Sequence, residues 1–457
     1  MTKNTKIDET NYIVGIELAQ QEATISYLDH KALKPVIYDR SGGYGQVAIP
    51  TIMQYMNEEN EWLIGEHANI NRDVEGTILV ERLIERLITR EEVVICDKKY
   101  LPETLLCIFV KIIIDSFKQL NPHATISTLA VSVPDIMYKD IHGYVQDGLN
   151  ELEGIQVQVV MSSQAICEWL RYKKLPFEGR TFVFDYNYNN FTVSIVEKRG
   201  NSIRVELDSS QPQISMKQID IVLQEELKLL YQQHFMLEQL SDDEETNLNQ
   251  LFREQEHWIF QKYAKRQSAK IYYSFAYPPF QKVITYNRLE ELLKSFKLIL
   301  DKFVCQYVNY QEQVILIGKG YKMQWPVDMI GEKMNTLKLN PYDVVSKGCC
   351  MIASNRLLNH EEYHFYFEQK QYGIMSIEDQ KEIFVSLKHH DNLFIIDLEG
   401  EEELDLDIMS KDENNRISFE QKIVLSNELA LEHKIRVNLQ LTKVEDATQI
   451  DIEYLPM

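Results

Sequence analysis

Three short apolar runs in this chain each end on an acidic residue or on glycine. They are Tyr12-Ile-Val-Gly-Ile-Glu17-Leu, Thr181-Phe-Val-Phe-Asp185 and Val314-Ile-Leu-Ile-Gly318-Lys-Gly320. Buried strands of an α/β domain have this form, and the polar or glycine end is where the chain turns over a ligand. Carboxylates at such ends can hold hydrated magnesium, and glycines let backbone amides approach phosphate oxygens. The same residues also serve plainer ends: Glu17 and Asp185 as turn or cap residues, Gly318 and Gly320 as a tight strand-to-helix turn.

A second constellation is His360-Glu361-Glu-Tyr-His364, the His-Glu-x-x-His spacing. On a helix it sets two imidazoles on one face for zinc with Glu361 as general base, and Glu378 or Glu382 could supply a third ligand. The alternation through Phe365-Tyr-Phe367 predicts a strand instead, which carries the histidines too far apart for one ion. The expectation is a polar connector between domains, with no metal. No serine or cysteine sits in a Gly-x-Ser-x-Gly or comparable nucleophile context. Ser41-Gly-Gly-Tyr-Gly45 lacks the lysine and the helix start of a phosphate loop and is expected to be a flexible turn.

Several elements must position these residues. Ile13 to Asp29 reads as a hairpin, and Gln46 to Tyr55 with Glu61 to Ile64 continues the sheet. Leu101 to Leu120 is an amphipathic helix introduced by Pro102 and Glu103. Thr128 to Val133, Lys139 to Leu152, Ile155 to Met161 and Ser163 to Tyr172 alternate as strand, helix, strand, helix, which implies a sheet covered by helices. Ser215 to Gln239 and Asp242 to Phe275 read as long helices, the second with an acidic start suited to the positive end of its dipole. Lys282 to Tyr286 is a strand, and Asn287 to Val304 and Pro341 to Asn355 are helices. Beyond about residue 358 the pattern turns to alternating strands, a separate all-β domain.

Composition bounds the function. A chain of 457 residues with 44% hydrophobic content is long enough for two or three domains. A formal charge of −22 opposes nucleic acid and anionic lipid, so neither nucleic acid nor membrane is expected as a partner. The first residues have no apolar core of a signal peptide, and the longest apolar run, Leu105 to Ile114, is broken by Lys111, so a cytoplasmic protein is expected. The six cysteines show no Cys-x-x-Cys spacing and are expected to be reduced, packed thiols.

Several segments, in order, resemble the nucleotide-binding domain of DnaK-type heat-shock chaperones and their actin and sugar-kinase relatives. Ile49-Pro-Thr-Ile-Met with Leu63-Ile-Gly-Glu-His-Ala68 is similar to the chaperones' early strand pair, and Leu129-Ala-Val-Ser-Val-Pro134 to their Val-Thr-Val-Pro strand. Gln267-Ser-Ala-Lys270-Ile-Tyr-Tyr-Ser274 resembles the adenosine-contacting helix, and Asn340-Pro-Tyr-Asp-Val-Val-Ser-Lys-Gly348-Cys-Cys the Asn-Pro-Asp helix. The resemblance implies an α/β actin-like ATPase fold (a duplicated ribonuclease H-like plan) with lobe I over 1–180 and lobe II over 181–357. A C-terminal β-sandwich-like domain over 358–457 would follow.

The catalytic equipment departs from that pattern. The first phosphate loop, Asp-Leu-Gly-Thr-Thr in the family, is Glu17-Leu-Ala19-Gln20-Gln21 here, and Asp-Leu-Gly-Gly-Gly-Thr is Asp185-Tyr-Asn187-Tyr188-Asn189-Asn190. Side chains would then stand where a triphosphate lies, although asparagine tolerates left-handed backbone and the loop path can persist. Glu81 takes the place of the lysine that neutralises the transferred phosphate, and Ser162 that of a carboxylate. The resemblance leaves Glu17, Asp185, Lys270, Ser274, Gly318 and Gly320 as nucleotide-contacting residues. The expectation is a pseudo-ATPase with no catalytic residues, weak ATP or ADP binding at most, and a protein or peptide partner. The alternative is an active ATPase or sugar-type kinase with rearranged loops, in which Glu17 and Asp185 hold the metal.

Overall fold

The computed structural model describes residues 11–29, 34–40, 47–70, 72, 74–175, 177, 179–274, 276, 278–308, 312–358, 363–368, 371–378, 381–387, 393–397, 403–411, 417–426, 434–444 and 447–455. Ser41 to Gly45, His360 and Glu361 lie outside them. The chain forms a mixed α/β protein of two compact units, Met1–Tyr366 and Phe367–Met457.

The first unit opens with an antiparallel meander of β1 (Asn11–Leu18), β2 (Glu22–Asp29) and β3 (Lys34–Ile37), with the short β4 (Ala48–Pro50) also paired to β2. The strand expected over Gln46 to Tyr55 is therefore two strands, broken after Pro50, which has no amide hydrogen to continue a ladder. Its second part, β5 (Met53–Met56), joins a side sheet with β6 (Glu61–Ile64) and β7 (Thr77–Val80), the last two linked through α1 (Glu66–Ile70). Helix α2 (Leu83–Thr89), a hairpin of β8 (Val93–Ile95) and β9 (Lys98–Tyr100), and α3 (Pro102–Leu120) follow. Leu105, Leu106, Phe109, Val110, Ile113, Ile114 and Phe117 recur at helical spacing along α3, and all are buried. Strand β10 (Thr125–Val133), α4 (Tyr138–Leu149) and β11 (Gln156–Met161) return the chain to the first sheet, where β10 runs parallel to both β1 and β11; α5 (Ser162–Lys173) follows.

A second sheet repeats this plan. Strands β12 (Gly179–Tyr186), β13 (Phe191–Arg199) and β14 (Ser202–Gln211) form its meander. Helices α6 (Met216–Phe235) and α7 (Asp242–Ala264) and a hairpin of β15 (Ala269–Tyr273) and β16 (Phe280–Ile284) come next. Helix α8 (Tyr286–Cys305), β17 (Gln313–Ile317), α9 (Trp325–Lys333) and β18 (Asn335–Thr336) then complete the sheet. Strand β17 lies parallel to β12 and β18 parallel to β17. The second sheet runs β18-β17-β12-β13-β14 with β19 (His364–Glu368) added at the β14 edge, and its first five strands repeat the arrangement β11-β10-β1-β2-β3 of the first. Each half has its own apolar core.

Helix α7 begins as its sequence suggests. Ser241 accepts from the Glu244 amide and Glu244 answers at the Ser241 amide, a capping box that satisfies two otherwise unpaired donors. The helix does not reach Phe275. It ends at Ala264, Arg266 takes a left-handed backbone (φ 56°), and Ala269–Tyr273 is a strand. Buried Ala269 and Ile271 alternate with exposed Lys270 and Tyr272, a period of two that suits a hairpin against Phe280 and Ile284.

Helix α10 (Val344–Leu358) follows the second sheet in the chain but packs on the first, against β1, β10 and α5. A Cβ on Gly15 would lie 2.1 Å from the Cys350 amide nitrogen, and one on Gly348 would lie 1.9 Å from the Ala165 carbonyl oxygen. The Ser26 and Ser346 hydroxyls meet at 2.9 Å beneath the helix, and Asn355 Nδ2 donates to Glu168 Oε2 at 3.0 Å. The unit ends along β19 (His364–Glu368), with the His364 amide on Asn201 O at 2.9 Å.

Every described element of the second unit is a strand: β20 (Gln371–Glu378), β21 (Lys381–Ser386), β22 (Leu393–Asp397), β23 (Glu403–Lys411), β24 (Ile417–Ser426), β25 (Lys434–Val444) and β26 (Ala447–Leu455). They form antiparallel sheets ordered β21-β20-β23-β24 and β22-β25-β26. In β24, buried Ile423 and Leu425 alternate with exposed Lys422 and Val424. Cys107, Cys167, Cys349 and Cys350 are buried free thiols, while Cys96 and Cys305 are exposed. Among the described residues, no helix is long and apolar enough to cross a membrane.

The tight crossing generates a paired test. Gly348→Ala should lower unfolding free energy by about 2 kcal/mol or more, because backbone stands where the methyl must go. Gly143→Ala, at an open position of α4, should be neutral or stabilising by up to about 1 kcal/mol. Urea denaturation of both variants beside the parent checks the contrast.

Candidate functional site

Three of the strands that carry the two sheets deliver a carboxylate at or just beyond their C-terminal ends. Glu17, on β1, is buried and accepts from Thr24 Oγ1 at 2.7 Å. Asp185, on β12, is buried and accepts from Asn187 Nδ2 at 2.6 Å. Asp135 follows Pro134 after β10, is buried, and accepts from the Ser163 amide at 3.0 Å.

All three hold their protons above the ordinary carboxylate range. Burial is the main cause for each. Lys319 and the Thr24 hydroxyl oppose it at Glu17, and Ser163 and Ser194 oppose it at Asp135. Asp185 is held well above its ordinary value: burial acts first, then the charges of Asp135 and Glu17, with Asn187 and Lys319 pulling back. The carboxylates therefore share one electrostatic site, in which Lys319 is a cation facing both Glu17 and Asp185. The Lys319 ammonium also donates to Tyr342 O at 3.4 Å.

The glycines after β17 face protein. A Cβ on Gly318, which has φ 102°, would lie 2.4 Å from Tyr186 O and 2.9 Å from Asp185 Oδ1; one on Gly320 would lie 2.4 Å from the Tyr186 ring. Tyr186 is fully buried, edge-on to Phe191 at 5.2 Å and to Tyr321 at 5.7 Å between centroids. Both glycines are thus required by the close passage of the β17 turn over the end of β12.

The turn after β1 and the turn after β12 bond directly to each other. The Asn189 amide donates to Gln20 Oε1 at 2.9 Å, Tyr188 hydrogen-bonds Gln21, and the Asn189 side chain bonds Glu85. Within the β12 turn, the Asn187 amide closes on Asn190 O at 2.9 Å, and Asn190 Oδ1 accepts from Ser210 Oγ at 3.3 Å. Burial pushes the Tyr188 phenol up to about 12, with Asp220 adding to it and Gln21 opposing.

An ionic cluster continues from this seam. Lys322 Nζ donates to Glu22 Oε1 at 3.0 Å. Burial acts to raise the Glu22 carboxyl, but Lys322 and Lys319 hold it below its usual range. Glu256, on α7, is pushed up to about 7 by burial, against the pull of Lys322. Asp220, on α6, is held well above its ordinary range by burial and then by Glu256.

Of the residues singled out from sequence, Glu17, Asp185, Gly318 and Gly320 come together. Lys270 and Ser274 do not join them. They are exposed on or just after β15, because the expected helix there is a hairpin. Glu81 pairs with Arg72 at 2.5 Å, and Ser162 Oγ donates to Val133 O at 3.2 Å. His364 is exposed on β19, and among the described residues no group of three metal-ligating side chains is gathered. Sequence reasoning missed Asp135, Lys319 and the Lys322 cluster. Asp135 carried the same signal as Glu17 and Asp185, an apolar run ending on an acid, with Pro134 interposed.

Residues 35–277, more than half of the chain, match the sequence family described as the C-terminal part of a family of unknown function, DUF5716, and the chain belongs to that family. No curated protein matches it.

Asp185 offers a direct measure of the site's electrostatics. Since its carboxyl keeps a proton to higher pH when folded than when unfolded, ionising it costs stability as pH rises from about 4 through the folded-state pKa. Asp185→Asn removes that cost. The variant should resist denaturant better than the parent at pH 8, by more than the ~0.5 kcal/mol of a surface change, with the gain shrinking towards pH 4. Denaturation curves across that range read both; a variant less stable at pH 8 would show the ionised form to be the favoured one.

Proposed function

We propose that this chain is a DnaK-like pseudo-ATPase: an actin-like two-lobed body that no longer performs phosphoryl transfer and works by binding protein. The repeated strand order supports the actin-like reading of residues 11 to 357, with Met1–Tyr366 as its body and Phe367–Met457 as the C-terminal β-domain. The observation that carries the functional reading is the bond from the Asn189 amide to Gln20. In an ATPase of this plan, amides of the two turns face phosphate oxygens; here the Asn189 amide is spent on a side chain from the opposite turn. Asn187 is engaged with Asp185, and Tyr186 fills the space over Gly320. A triphosphate does not fit these residues.

The loss reaches the nucleoside side as well. With Lys270 and Ser274 exposed on a hairpin, Gly318 and Gly320 remain of the expected contacts, and both are packed against protein. Weak ADP or ATP binding therefore has less support than the sequence alone suggested. Function moves to the surfaces and the β-domain, for which an extended or unfolded polypeptide is the proposed partner class.

One observation favours the second reading, an active ATPase or kinase. The charges of Glu17 and Asp135 both act on the buried Asp185 carboxyl, an excess of negative charge that a cation would relieve, although these side chains are not gathered as a ligand set. Phosphate release from ATP with magnesium separates the two. The full chain should show no turnover above background, since the contacts that stabilise a transferred phosphate act as a unit and each is worth about 10²-fold. Turnover abolished in Asp185→Asn would overturn the pseudo-ATPase reading. A labelled unfolded polypeptide should bind the full chain saturably, with an anisotropy change indifferent to ATP; absence of binding would remove the proposed partner class.

A further inference from the structure

Away from the carboxylate site, a cavity of about 250 Å³ opens between the β7 region and α7. Arg72 and Leu79 form one wall; Thr246, Asn249, Gln250 and Arg253 form the other. The four α7 residues are spaced as one helical face, while Leu248, Leu251 and Phe252 of the same helix are buried elsewhere in the core. Among the described lining residues, all but Leu79 carry polar or charged side chains.

Its chemistry is one-sided. Two guanidiniums, a hydroxyl and two carboxamides face it, and among the described residues no carboxylate lines it, in a chain whose formal charge is −22. Arg72 binds Glu81 through Nη2, but its Nε is buried without a hydrogen-bond partner. A buried donor left unpaired is costly, more so when charged, and an acceptor brought by a ligand removes that cost. An arginine from each segment suits a ligand with charged oxygens at both ends, with Arg72 offering its unpaired Nε to one of them. The carboxamides and the threonine hydroxyl can serve the uncharged part between them.

We propose that this cavity is a binding site for a small polyanion, a phosphorylated or polycarboxylated metabolite, held between Arg72 and Arg253. The site is independent of the ATP question, since none of the residues at Glu17, Asp135 or Asp185 contributes to it. Its volume of about 250 Å³ admits a diphosphate or tricarboxylate whole.

The test is isothermal titration of the full chain at low ionic strength, with inorganic pyrophosphate and separately with citrate. Saturable single-site binding of at least one probe is expected, weakened about tenfold or more by Arg253→Gln through the lost charge-assisted bonds. Arg72→Gln should do the same; if that variant fails to fold, Arg253→Gln carries the test alone. Lys270→Gln, at an exposed lysine on the β15 hairpin, should change nothing. The proposal is overturned if neither probe saturates, if Arg253→Gln binds as tightly as the parent, or if Lys270→Gln weakens binding equally, which would mark diffuse charge attraction.

Discussion

Helix α10 crosses from the second sheet to the first with no side chain between backbones. At Gly15 and at Gly348 the neighbouring main chain occupies the place of a methyl group, so β1, α5 and α10 lie as close as polypeptide can. This contact sets how the two halves face one another. The ends of β1 and β12 are then near enough for Gln20 to receive the Asn189 amide, and for Asp185 to feel the charges of Glu17 and Asp135. A small shift of α10 would be felt at every one of those bonds.

The seam is polar where an ordinary domain junction would be greasy. Carboxylates at Glu17, Asp135, Asp185, Asp220 and Glu256 are all held towards their protonated forms by burial, and Lys319 and Lys322 answer only part of the charge. Such an arrangement costs stability, and its survival beside the direct Gln20–Asn189 bond is the main tension in the molecule. Clusters of buried carboxylates are where proteins depart from their most stable sequence for another purpose. The carboxylates fit that description; the side chains that fill the turns work against small-ligand access to them.

Much of the fold was legible because its signals are local. The capping box at Ser241 and the apolar face of α3 each specify their element from a few residues, as does the strand alternation beyond residue 358. The error at 265 to 275 came from trusting a likeness to a helix over the period-two alternation of Ala269 to Tyr273, which was visible in the same residues. At the site, Glu17 and Asp185 stood out as acids ending apolar runs. Lys322 could not, because its meaning depends on Glu22, 300 residues earlier in the chain. The Arg72–α7 cavity was invisible for the same reason: its two walls meet only after folding.

The α10 crossing also imposes an order of events. Ser26 and Ser346, hydrogen-bonded in the finished protein, are separated by 320 positions. At ribosomal rates of about 5–20 residues per second, Ser26 on β2 waits roughly 16 to 64 s for its partner on α10. During that interval the nascent first sheet presents an uncovered apolar face to the crowded cell. Loop-closure entropy further delays so distant a pairing. The first half is therefore completed only after the whole of the second half has been made.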